Sequence, residues 1–353
     1  MRVFTDDPAA AAAVLPQTEA NAWQQAADLS PREQRLVRAL GGTATWTQVV
    51  RGADPFWSTV FVVSFSEGSQ FQAVDRLLGT GVRIGVPTAA LALSGTGFRG
   101  QRDRAWHAAH GNLHLTAVVP VDLEVARVGT ALSMLPAVAS IDAIVGASGG
   151  AVKPGIKWVN DILLGDRKVG GVLSAAHTTA NRIEDVVWGI GINVGVAPEL
   201  DPTPFVPATT CLAAAPGGSQ VTLAVLFRAL LQAIACWHTE LLRAGAAPIH
   251  SAYRAQSIVL GRAVRIWEEG GAAPFAEGIV TDITSSLGLQ LDGHVAPIGR
   301  GRLELVSSGA ESTESKRVGP YHTSIDPTIV AAIASIVATR FPGARVTRVE
   351  AEP

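Results

Sequence analysis

The chain has few of the features that mark secreted, zinc-binding or P-loop proteins. Only two of its 353 residues are cysteines, Cys211 and Cys236, without C-x-x-C spacing, so the sequence suggests neither a disulfide framework nor a zinc site. It contains no G-x-x-x-x-G-K-[ST] loop for nucleotide phosphates. The N-terminus carries Asp6 and Asp7 before an alanine run, which is not the order of a signal peptide. We therefore expect no membrane-spanning stretch and a cytoplasmic location.

Charge is also sparse. Charged residues make up 16% of the chain and hydrophobic residues 48%, and the formal net charge is −2. This composition favours packed globular domains over disorder and gives no electrostatic footprint for nucleic acid. Because 353 residues exceed the usual size of a single core, we expect two or three domains.

The most informative stretch, residues 157–173, is predicted to form a strand, a tight turn and a second strand. Lys157 stands there between the apolar residues Ile156 and Trp158. In a buried strand its ammonium group would lose water, so the sequence predicts an anion opposite it, either a carboxylate or a phosphate. The alternative is a strand lysine that reaches solvent or pairs with Asp161.

Polar and small residues accompany that lysine. Asn160 and Asp161 place polar groups at the same strand end. Gly170 and Gly171 allow a ligand to touch the backbone, because no Cβ stands in the way. The hairpin thus combines a cation, polar side chains and bare backbone.

These residues resemble the signature of biotin protein ligases, K-W-P-N-D followed by a hairpin and a glycine-containing strand, with Val159 in place of Pro. Residues 189–194 are similar to the family's G-x-G-x-N strand, and residues 209–212 to a loop of the eukaryotic-type enzymes. The resemblance covers about residues 57–306. It implies an α+β fold: a mixed β-sheet flanked by helices, as in class II aminoacyl-tRNA synthetases, with a C-terminal SH3-like β-barrel.

A second stretch, residues 95–106, is rich in glycine and arginine, which gives a flexible backbone with positive charge suited to an anionic ligand. It resembles the family's G-R-G-R-x-G-x-x-W loop, which closes over the acyl-adenylate. The residues in register are Arg99, Gly100, Arg102, Arg104 and Trp106. The departures from the pattern are Phe98, Gln101 and Asp103. The alternative is a solvated surface loop whose arginines pair with nearby carboxylates.

The pocket for the acid departs most from the family. Where biotin ligases have D-S-T-N, residues 66–70 retain only small polar character. A ureido ring needs a donor and an acceptor inside an apolar pocket, which Ser66, Ser69 or Thr96 would supply. The substrate-binding residues that the resemblance implies are Ser66, Ser69, Thr96, Gly97, Gly100, Trp106, Gly170 and Gly171.

The resemblance implies ATP-dependent, AMP-forming activation of biotin and transfer to a lysine of a biotin carboxyl carrier protein domain, with ATP and Mg²⁺ as cofactors. The implied roles are catalysis for Lys157, Arg99 and Arg102, nucleotide binding for Arg104, Asn160 and Asn193, and metal binding for Asp161. Alternatively, Asn193 bonds the backbone of a turn. A lipoate or octanoate ligase and a non-catalytic biotin-binding regulatory protein are the alternative functions. The oligomeric state, including a homodimer, stays open.

We predict four segments along the chain. They are an N-terminal helical extension (1–52), a biotin ligase-like catalytic domain (53–257), an SH3-like domain (258–306) and a linker with a helix–strand tail (307–353). Within the catalytic segment, the pattern predicts a strand at residues 82–86 and a helical region at residues 123–145 interrupted at Pro136.

Overall fold

The computed structural model describes residues 1–42 and 44–306. Its strands are β1 (Arg2–Thr5), β2 (Gln24–Gln25), β3 (Trp46–Val49), β4 (Thr59–Val63), β5 (Ser66–Glu67), β6 (Thr88–Ala92), β7 (Gly95–Thr96), β8 (Leu113–Glu124), β9 (Gly155–Lys157), β10 (Asp161–Leu164), β11 (Arg167–Thr179), β12 (Arg182–Ile192), β13 (Ala263–Trp267), β14 (Pro274–Ile283), β15 (Leu289–Leu291) and β16 (Arg302–Leu305). Its α-helices are α1 (Pro8–Val14), α2 (Pro31–Leu36), α3 (Gln70–Gly79), α4 (Val125–Val128), α5 (Ala131–Ala147), α6 (Leu223–Ala244) and α7 (Ala247–Ala255).

Ten strands form one mixed sheet in the order β2-β3-β1-β4-β6-β8-β12-β11-β10-β9. The pairs β1–β4 and β4–β6 are parallel, and the other neighbours are antiparallel. In β4, Val60 and Val62 join a core cluster with α5 and α6, whereas Phe61 joins a second cluster with α2 and α3. Because successive strand residues face opposite sides, this division shows that helices cover both faces of the sheet.

The first 52 residues differ from the predicted helical extension, because β1, β2 and β3 belong to the ten-stranded sheet. The predicted helix starts are present: Asp7 caps α1, and Ser30 forms a capping box with Glu33 at the start of α2. Val3 and Phe4 are fully buried between neighbouring strands. Long-range packing therefore makes this segment part of the main sheet.

The helical region at residues 123–145 breaks between α4 and α5, and not at Pro136 as predicted. Pro136 has no N–H to donate to the carbonyl of Leu132. That carbonyl accepts instead from Ser174 Oγ at 3.0 Å and from Trp188 Nε1 at 2.7 Å. The helix continues through the proline because the sheet satisfies the freed acceptor.

The strand predicted at residues 82–86 is also misplaced, since the strand in this region is β6 and begins at Thr88. Gly85 has a φ of 66°, a left-handed conformation that turns the chain before β6. Because of this turn, the strand begins several residues later than predicted.

Residues 263–305 contain a four-stranded antiparallel sheet in the order β15-β14-β13-β16. Its buried side chains, such as Ile266 and Leu303, join the same core cluster as α5 and α6. The predicted boundary between residues 257 and 258 stays a prediction. The elements predicted within 307–353 lie outside the described residues.

Two spans in the described part of the chain, Val125–Ala147 and Leu223–Ala244, are long and apolar enough to cross a membrane by length and composition alone. The expectation that no stretch reaches that length is therefore wrong. Of the apolar window in each span, 72% and 44% are buried inside the protein. Core helices meet the same criteria, so these spans are weak evidence for membrane insertion.

Candidate active site

The hairpin that follows β9 lies at one end of the ten-stranded sheet and is fixed from several directions. Three side chains donate to backbone carbonyls: Tyr253 Oη to Val159 (2.7 Å), Trp158 Nε1 to Leu287 (2.7 Å) and Asn160 Nδ2 to Val172 (2.8 Å). The bond to Leu287 ties the hairpin to the turn between β14 and β15. Both sheets therefore position the residues that follow Lys157.

Lys157 is 3% exposed, and its Nζ donates to the carbonyl of Phe205. Burial lowers the pKa of Lys157 to about 8, and the nearby carboxylate of Asp161 opposes that shift. A buried ammonium whose direct partner is an uncharged carbonyl has capacity for an anion. The predicted alternative, a lysine that reaches solvent, does not occur.

The Asp161 carboxylate forms an ion pair with a second lysine. Lys168 Nζ lies 2.5 Å from Asp161 Oδ1. Burial alone would raise the pKa of Asp161, but the charges of Lys168 and then Lys157 lower it overall. The carboxylate is therefore ionised at neutral pH and bonded to Lys168, which leaves the charge of Lys157 only partly balanced.

The arginine-rich loop, residues 95–106, folds back on itself, with the Gly100 N–H donating to the Arg104 carbonyl at 2.7 Å. At its tip, Arg102 has a φ of 58° and forms an ion pair with Glu269, which follows β13. The two side chains are 38% and 51% exposed, so the pair contributes less than about 1 kcal/mol. The loop thus lies against the four-stranded sheet through a weak, partly exposed contact.

Trp106, at the end of this loop, is held against β12. Its Nε1–H donates to His114 Nδ1 at 3.2 Å, and the other ring nitrogen of His114 bonds the Ala109 carbonyl at 3.1 Å. Burial lowers the pKa of His114, which keeps the ring neutral and Nδ1 free to accept. The Trp106 ring covers Gly191, where a Cβ would lie 2.4 Å from Trp106 Cζ2.

Two adjoining cavities lie between the hairpin and the loop, one of about 340 Å³ and one of about 170 Å³. The apolar lining of the large cavity includes Phe71, Phe98, Trp106, Leu115, Val172, Leu173 and Ile190. The charged lining of the small cavity is Arg102, Arg104, Lys157, Asp161, Arg300 and Arg302. Both cavities share Gln101, Arg104, Asn160, Asp161, Val206 and Arg302. An apolar slot thus opens into a cationic chamber, an arrangement suited to an apolar acid beside an anionic co-substrate.

Comparisons with known proteins identify the family of this chain. Residues 86–193 match the biotin/lipoate A/B protein ligase family. A biotin–[acetyl-CoA-carboxylase] ligase of Paracoccus denitrificans is 34% identical over 204 residues, which are 57% of this chain and 81% of that protein. The corresponding ligase of Mycobacterium tuberculosis (strain ATCC 25618 / H37Rv) is 31% identical over 267 residues, 73% of this chain and 90% of that protein. This chain belongs to the biotin/lipoate protein ligase family.

Other relatives match a smaller share of their length. The bifunctional ligase/repressor BirA of Bacillus subtilis (strain 168) is 28% identical over 179 residues, and the chain spans 54% of it, about half its length. A solved structure of biotin protein ligase from Aquifex aeolicus, in complex with biotin and ATP, has a TM-score of 0.51 at 18% identity. The match covers 71% of this chain and 100% of the Aquifex chain, which shows a shared fold. The predicted α+β fold with a large mixed sheet is thereby confirmed.

Most of the residues chosen from the ligase-family motifs line the two cavities. They are Ser69, Arg99, Gly100, Arg102, Arg104, Trp106, Lys157, Asn160, Asp161, Gly171 and Asn193. They come from strands β9, β10 and β11 and from turns, loops and element ends that are distant in sequence, so the fold brings the two motifs together. Their individual roles stay predictions.

Four of the predicted ligase residues line neither cavity: Ser66, Thr96, Gly97 and Gly170. The Ser66 hydroxyl donates to the Gly68 carbonyl at 3.0 Å. Gly170 and Gly171 face opposite sides of β11, and a Cβ at Gly170 would lie 2.7 Å from the Gly191 carbonyl. Of this pair, only Gly171 lines the large cavity.

Asn193 holds the family's G-x-G-x-N position and retains an unused acceptor. Its Nδ2 donates to the Thr210 carbonyl at 3.0 Å, whereas its buried Oδ1 has no partner among the described residues. The backbone that follows Asn193 is fixed by Asn112, whose Oδ1 accepts from three successive N–H groups of residues 194–196 at 2.9–3.1 Å. Asn193 is thus held in place with an acceptor for a ligand donor.

Sequence reasoning missed two residues of the small cavity, Phe205 and Arg302. Phe205 supplies the carbonyl that binds Lys157, and the Cζ of Arg302 lies 3.7 Å from the centre of the Phe205 ring. Neither residue lies in a motif of the ligase family. Only the packing of the four-stranded sheet beside the hairpin identifies them.

The predicted metal role of Asp161 depends on the groups around its carboxylate. Among the described residues, no group of three or more His, Cys, Asp or Glu side chains is placed to hold a metal ion. Asp161 itself is bonded to Lys168. Mg²⁺ usually keeps several waters and binds protein through one or two carboxylates plus substrate phosphates. An ion that arrives with a nucleotide needs no such cluster, so the metal role of Asp161 stays a prediction.

Proposed function

We propose that this protein is a biotin protein ligase, which converts biotin and MgATP to biotinyl-5'-AMP and transfers the biotinyl group to a lysine of a carrier protein domain. The observation that carries the proposal is the buried ammonium of Lys157, with its lowered pKa, in a cationic chamber that adjoins an apolar cavity of about 340 Å³. The curated relatives from Paracoccus and Mycobacterium carry the name of this activity.

In the first half-reaction, a carboxylate oxygen of biotin attacks the α-phosphorus of ATP, and the bond to the β-phosphate breaks to release pyrophosphate. Carboxylate and phosphate repel one another until cations bring them together. Lys157 lies against both groups in this proposal, and Arg99, Arg102 or Arg104 reaches them from the loop. Mg²⁺ enters bound to ATP as part of the substrate.

The large cavity accommodates biotin and the adenosine. Phe71, Val172 and Leu173 pack against the acyl chain, and Gly171 admits it close to the backbone. The buried hydroxyls of Ser69 and Thr116 bond the ureido ring, with Thr116 as an addition to the predicted set. Asn193 Oδ1 accepts from the nucleotide, because it is buried with no other donor in the described part.

In the second half-reaction, the acceptor lysine attacks the carbonyl carbon of biotinyl-5'-AMP, the bond to the phosphate oxygen breaks, and AMP leaves. The mixed anhydride is already reactive, so positioning and exclusion of water supply most of the rate enhancement. The arginine-rich loop, anchored through Trp106, covers the intermediate in this step. The acceptor is the biotin carboxyl carrier domain of a separate protein.

Three further features belong to the proposal. We propose that the four-stranded sheet of residues 263–305 is an SH3-like barrel, because its four strands are antiparallel and follow one another in the chain. The protein acts in the cytoplasm, where ATP is available and cysteines stay reduced. The contact of Trp158 with Leu287 supports a role for this sheet in fixing the active-site hairpin.

The proposal is tested by isotope exchange between ATP and pyrophosphate. We expect exchange in the presence of biotin and Mg²⁺, and loss of at least about 100-fold in Lys157→Ala, because a group that acts in the transition state contributes on that scale. Lys153→Ala, an exposed lysine near the same strand, is the matched control. Substantial biotin-dependent exchange by Lys157→Ala refutes the role of Lys157.

The identity of the acid is a separate measurement. Calorimetric titration with biotin and with lipoate compares the two acids in the same cavity, because only the ring distinguishes them. We expect biotin to bind more tightly, and Ser69→Ala to weaken biotin without affecting lipoate. Tighter binding of lipoate favours a lipoate ligase, and biotin binding without adenylate formation favours a regulatory protein.

A further inference from the structure

The small cavity contains a cation that the motifs do not include. We propose that Arg302, at the start of β16, binds the β- and γ-phosphates of ATP and holds the pyrophosphate that leaves. This inference rests on the adenylate-forming function proposed above and assigns an additional substrate-binding residue to it. The residue comes from the four-stranded sheet, whereas the family motifs lie on the ten-stranded sheet and its loops.

Arg302 lies where the two cavities meet. It lines both of them, as do Arg104, Asn160 and Asp161. Residues 299–303 form one border of the small cavity. A nucleotide whose adenosine occupies the large cavity and whose α-phosphate reaches Lys157 therefore extends its remaining phosphates past Arg302.

The guanidinium of Arg302 is fixed before any ligand binds. It lies over the ring of Phe205, with Cζ 3.7 Å from the ring centre, a stacking arrangement that suits arginine better than lysine. The carbonyl of the same Phe205 accepts from Lys157 Nζ. One residue thus sets the positions of both cations, so that neither has to be ordered when the phosphates arrive.

Arg302 also has hydrogen-bonding capacity that the described residues do not use. Its Nε is buried without an acceptor among them. Its ion pair with Glu269 spans 3.7 Å, which is longer than a hydrogen bond. A buried donor without a partner is destabilising unless an acceptor binds there, and phosphate oxygens are strong acceptors for a guanidinium.

Positive charge in the small cavity exceeds negative charge. The cationic lining is Arg102, Arg104, Lys157, Arg300 and Arg302, against one lining carboxylate, Asp161. Asp161 is bonded to Lys168, and Glu269 to Arg102. Burial lowers the pKa of Arg302, and the neighbouring charge of Arg104 adds to that effect. This excess matches a polyphosphate with several negative charges better than a single carboxylate.

The test compares Arg302→Gln and Arg302→Lys with a control on the same sheet, Arg265→Gln. Arg265 pairs with Glu277 and Glu304 and lines neither cavity. The dissociation constants for MgATP and for inorganic pyrophosphate are measured by calorimetry on the full chain. Transfer from supplied biotinyl-5'-AMP to an acceptor domain is measured in parallel, because that intermediate has no β- or γ-phosphate.

We expect Arg302→Gln to weaken both MgATP and pyrophosphate by about 10- to 100-fold, the effect of losing a charge-assisted contact. Arg302→Lys should weaken them less, because it retains the charge but not the planar guanidinium. Transfer from biotinyl-5'-AMP should stay within about twofold of wild type in both variants, since the phosphates that Arg302 binds have already left. Arg265→Gln should match wild type in every measurement.

Unchanged pyrophosphate binding in Arg302→Gln overturns the inference. An equal loss of MgATP binding and of transfer from biotinyl-5'-AMP also overturns it, because such a loss indicates a general structural defect. If Arg302→Gln does not fold, the test rests on Arg302→Lys. Pyrophosphate binding by Arg302→Lys equal to that of the wild type then overturns the inference. If the wild-type protein makes no biotinyl-5'-AMP but Arg302→Gln still loses pyrophosphate binding, the proposed function fails and the phosphate site stands.

Discussion

Lys157 is a buried ammonium whose direct hydrogen-bond partner is a neutral carbonyl, and this arrangement is destabilising for the fold. Its pKa falls from 10.5 to about 8 on burial. Since one pKa unit corresponds to about 1.4 kcal/mol, the charged side chain lowers the free energy of unfolding by about 3 kcal/mol at neutral pH. A side chain retained at that cost fits a role in binding rather than in packing.

Lys157→Met should separate these two effects. Methionine fills a similar volume without charge, so we expect the melting temperature to rise by several degrees at pH 7 while adenylate formation is lost. Between about pH 8 and 10.5 the unfolded chain holds the proton and the folded chain does not, so wild-type stability rises with pH and the variant should lack this rise. A lower melting temperature for Lys157→Met at pH 7, measured by calorimetry, would contradict this account of the residue.

The same ammonium group sets the pH dependence of activity. Activity should fall over the pH range in which stability rises. The ammonium form binds anions, so kcat/KM for MgATP should fall above about pH 8, approaching tenfold per pH unit. Lys157→Arg keeps its charge throughout this range and should be slower but lack the fall. The check is a profile from pH 6 to 10 on both proteins. An identical fall in Lys157→Arg assigns the titration to another group.

At the scale of elements, the arginine-rich loop depends on a weak contact with the four-stranded sheet. Glu269→Gln removes the charge that holds Arg102, so the loop should become more accessible to trypsin, which cleaves after arginine. The exposed pair contributes less than about 1 kcal/mol, so the melting temperature should stay nearly unchanged.

The matched control for this loop is Glu268→Gln, because Glu268 pairs with Arg300 instead. Digestion is followed with and without biotin plus MgATP. We expect ligand to protect the loop in Glu269→Gln as well as in wild type. Equal cleavage of all three proteins without ligand would show that the ion pair does not hold the loop.

β12 provides the surface on which the Trp106 ring lies. In Gly191→Ala the added methyl group would lie 2.4 Å from Trp106 Cζ2, so the ring must move. Such overpacking costs about 1–3 kcal/mol, and we expect biotin binding to weaken by at least about tenfold. Gly195→Ala, whose Cβ meets its nearest atom at 3.5 Å, is the control. Biotin affinity of Gly191→Ala equal to wild type, by calorimetry, would disprove the role of this surface.

Sequence motifs predicted those parts of the candidate site whose residues lie close together in the chain. The hairpin of Lys157 and the loop of Arg104 were predicted from motifs in which each residue lies within a few positions of the next. Predictions were wrong where the local structure depends on a partner that is distant in the sequence. Pro136 does not break its helix because Ser174 and Trp188, on other elements, take over the freed carbonyl.

At the scale of the whole molecule, the active site depends on both sheets. Phe205 and Arg302 lie far from Lys157 in sequence, and only the three-dimensional packing brings them to the same cavity. No local pattern distinguishes Arg302 from the neighbouring surface arginine at position 300. The N-terminal strands illustrate the same limit, because β1 is a short run that becomes a sheet strand only through pairing with β3 and β4.

The most direct test is a single turnover with ATP radiolabelled at the α-phosphate. Excess protein is mixed with labelled MgATP, with or without biotin, and the acid-quenched products are separated. We predict labelled biotinyl-5'-AMP from the wild-type protein only when biotin is present, and formation at least about 100-fold slower in Lys157→Ala. Absence of the labelled intermediate in the wild type, or its formation at the wild-type rate by Lys157→Ala, would contradict adenylate chemistry centred on the buried lysine.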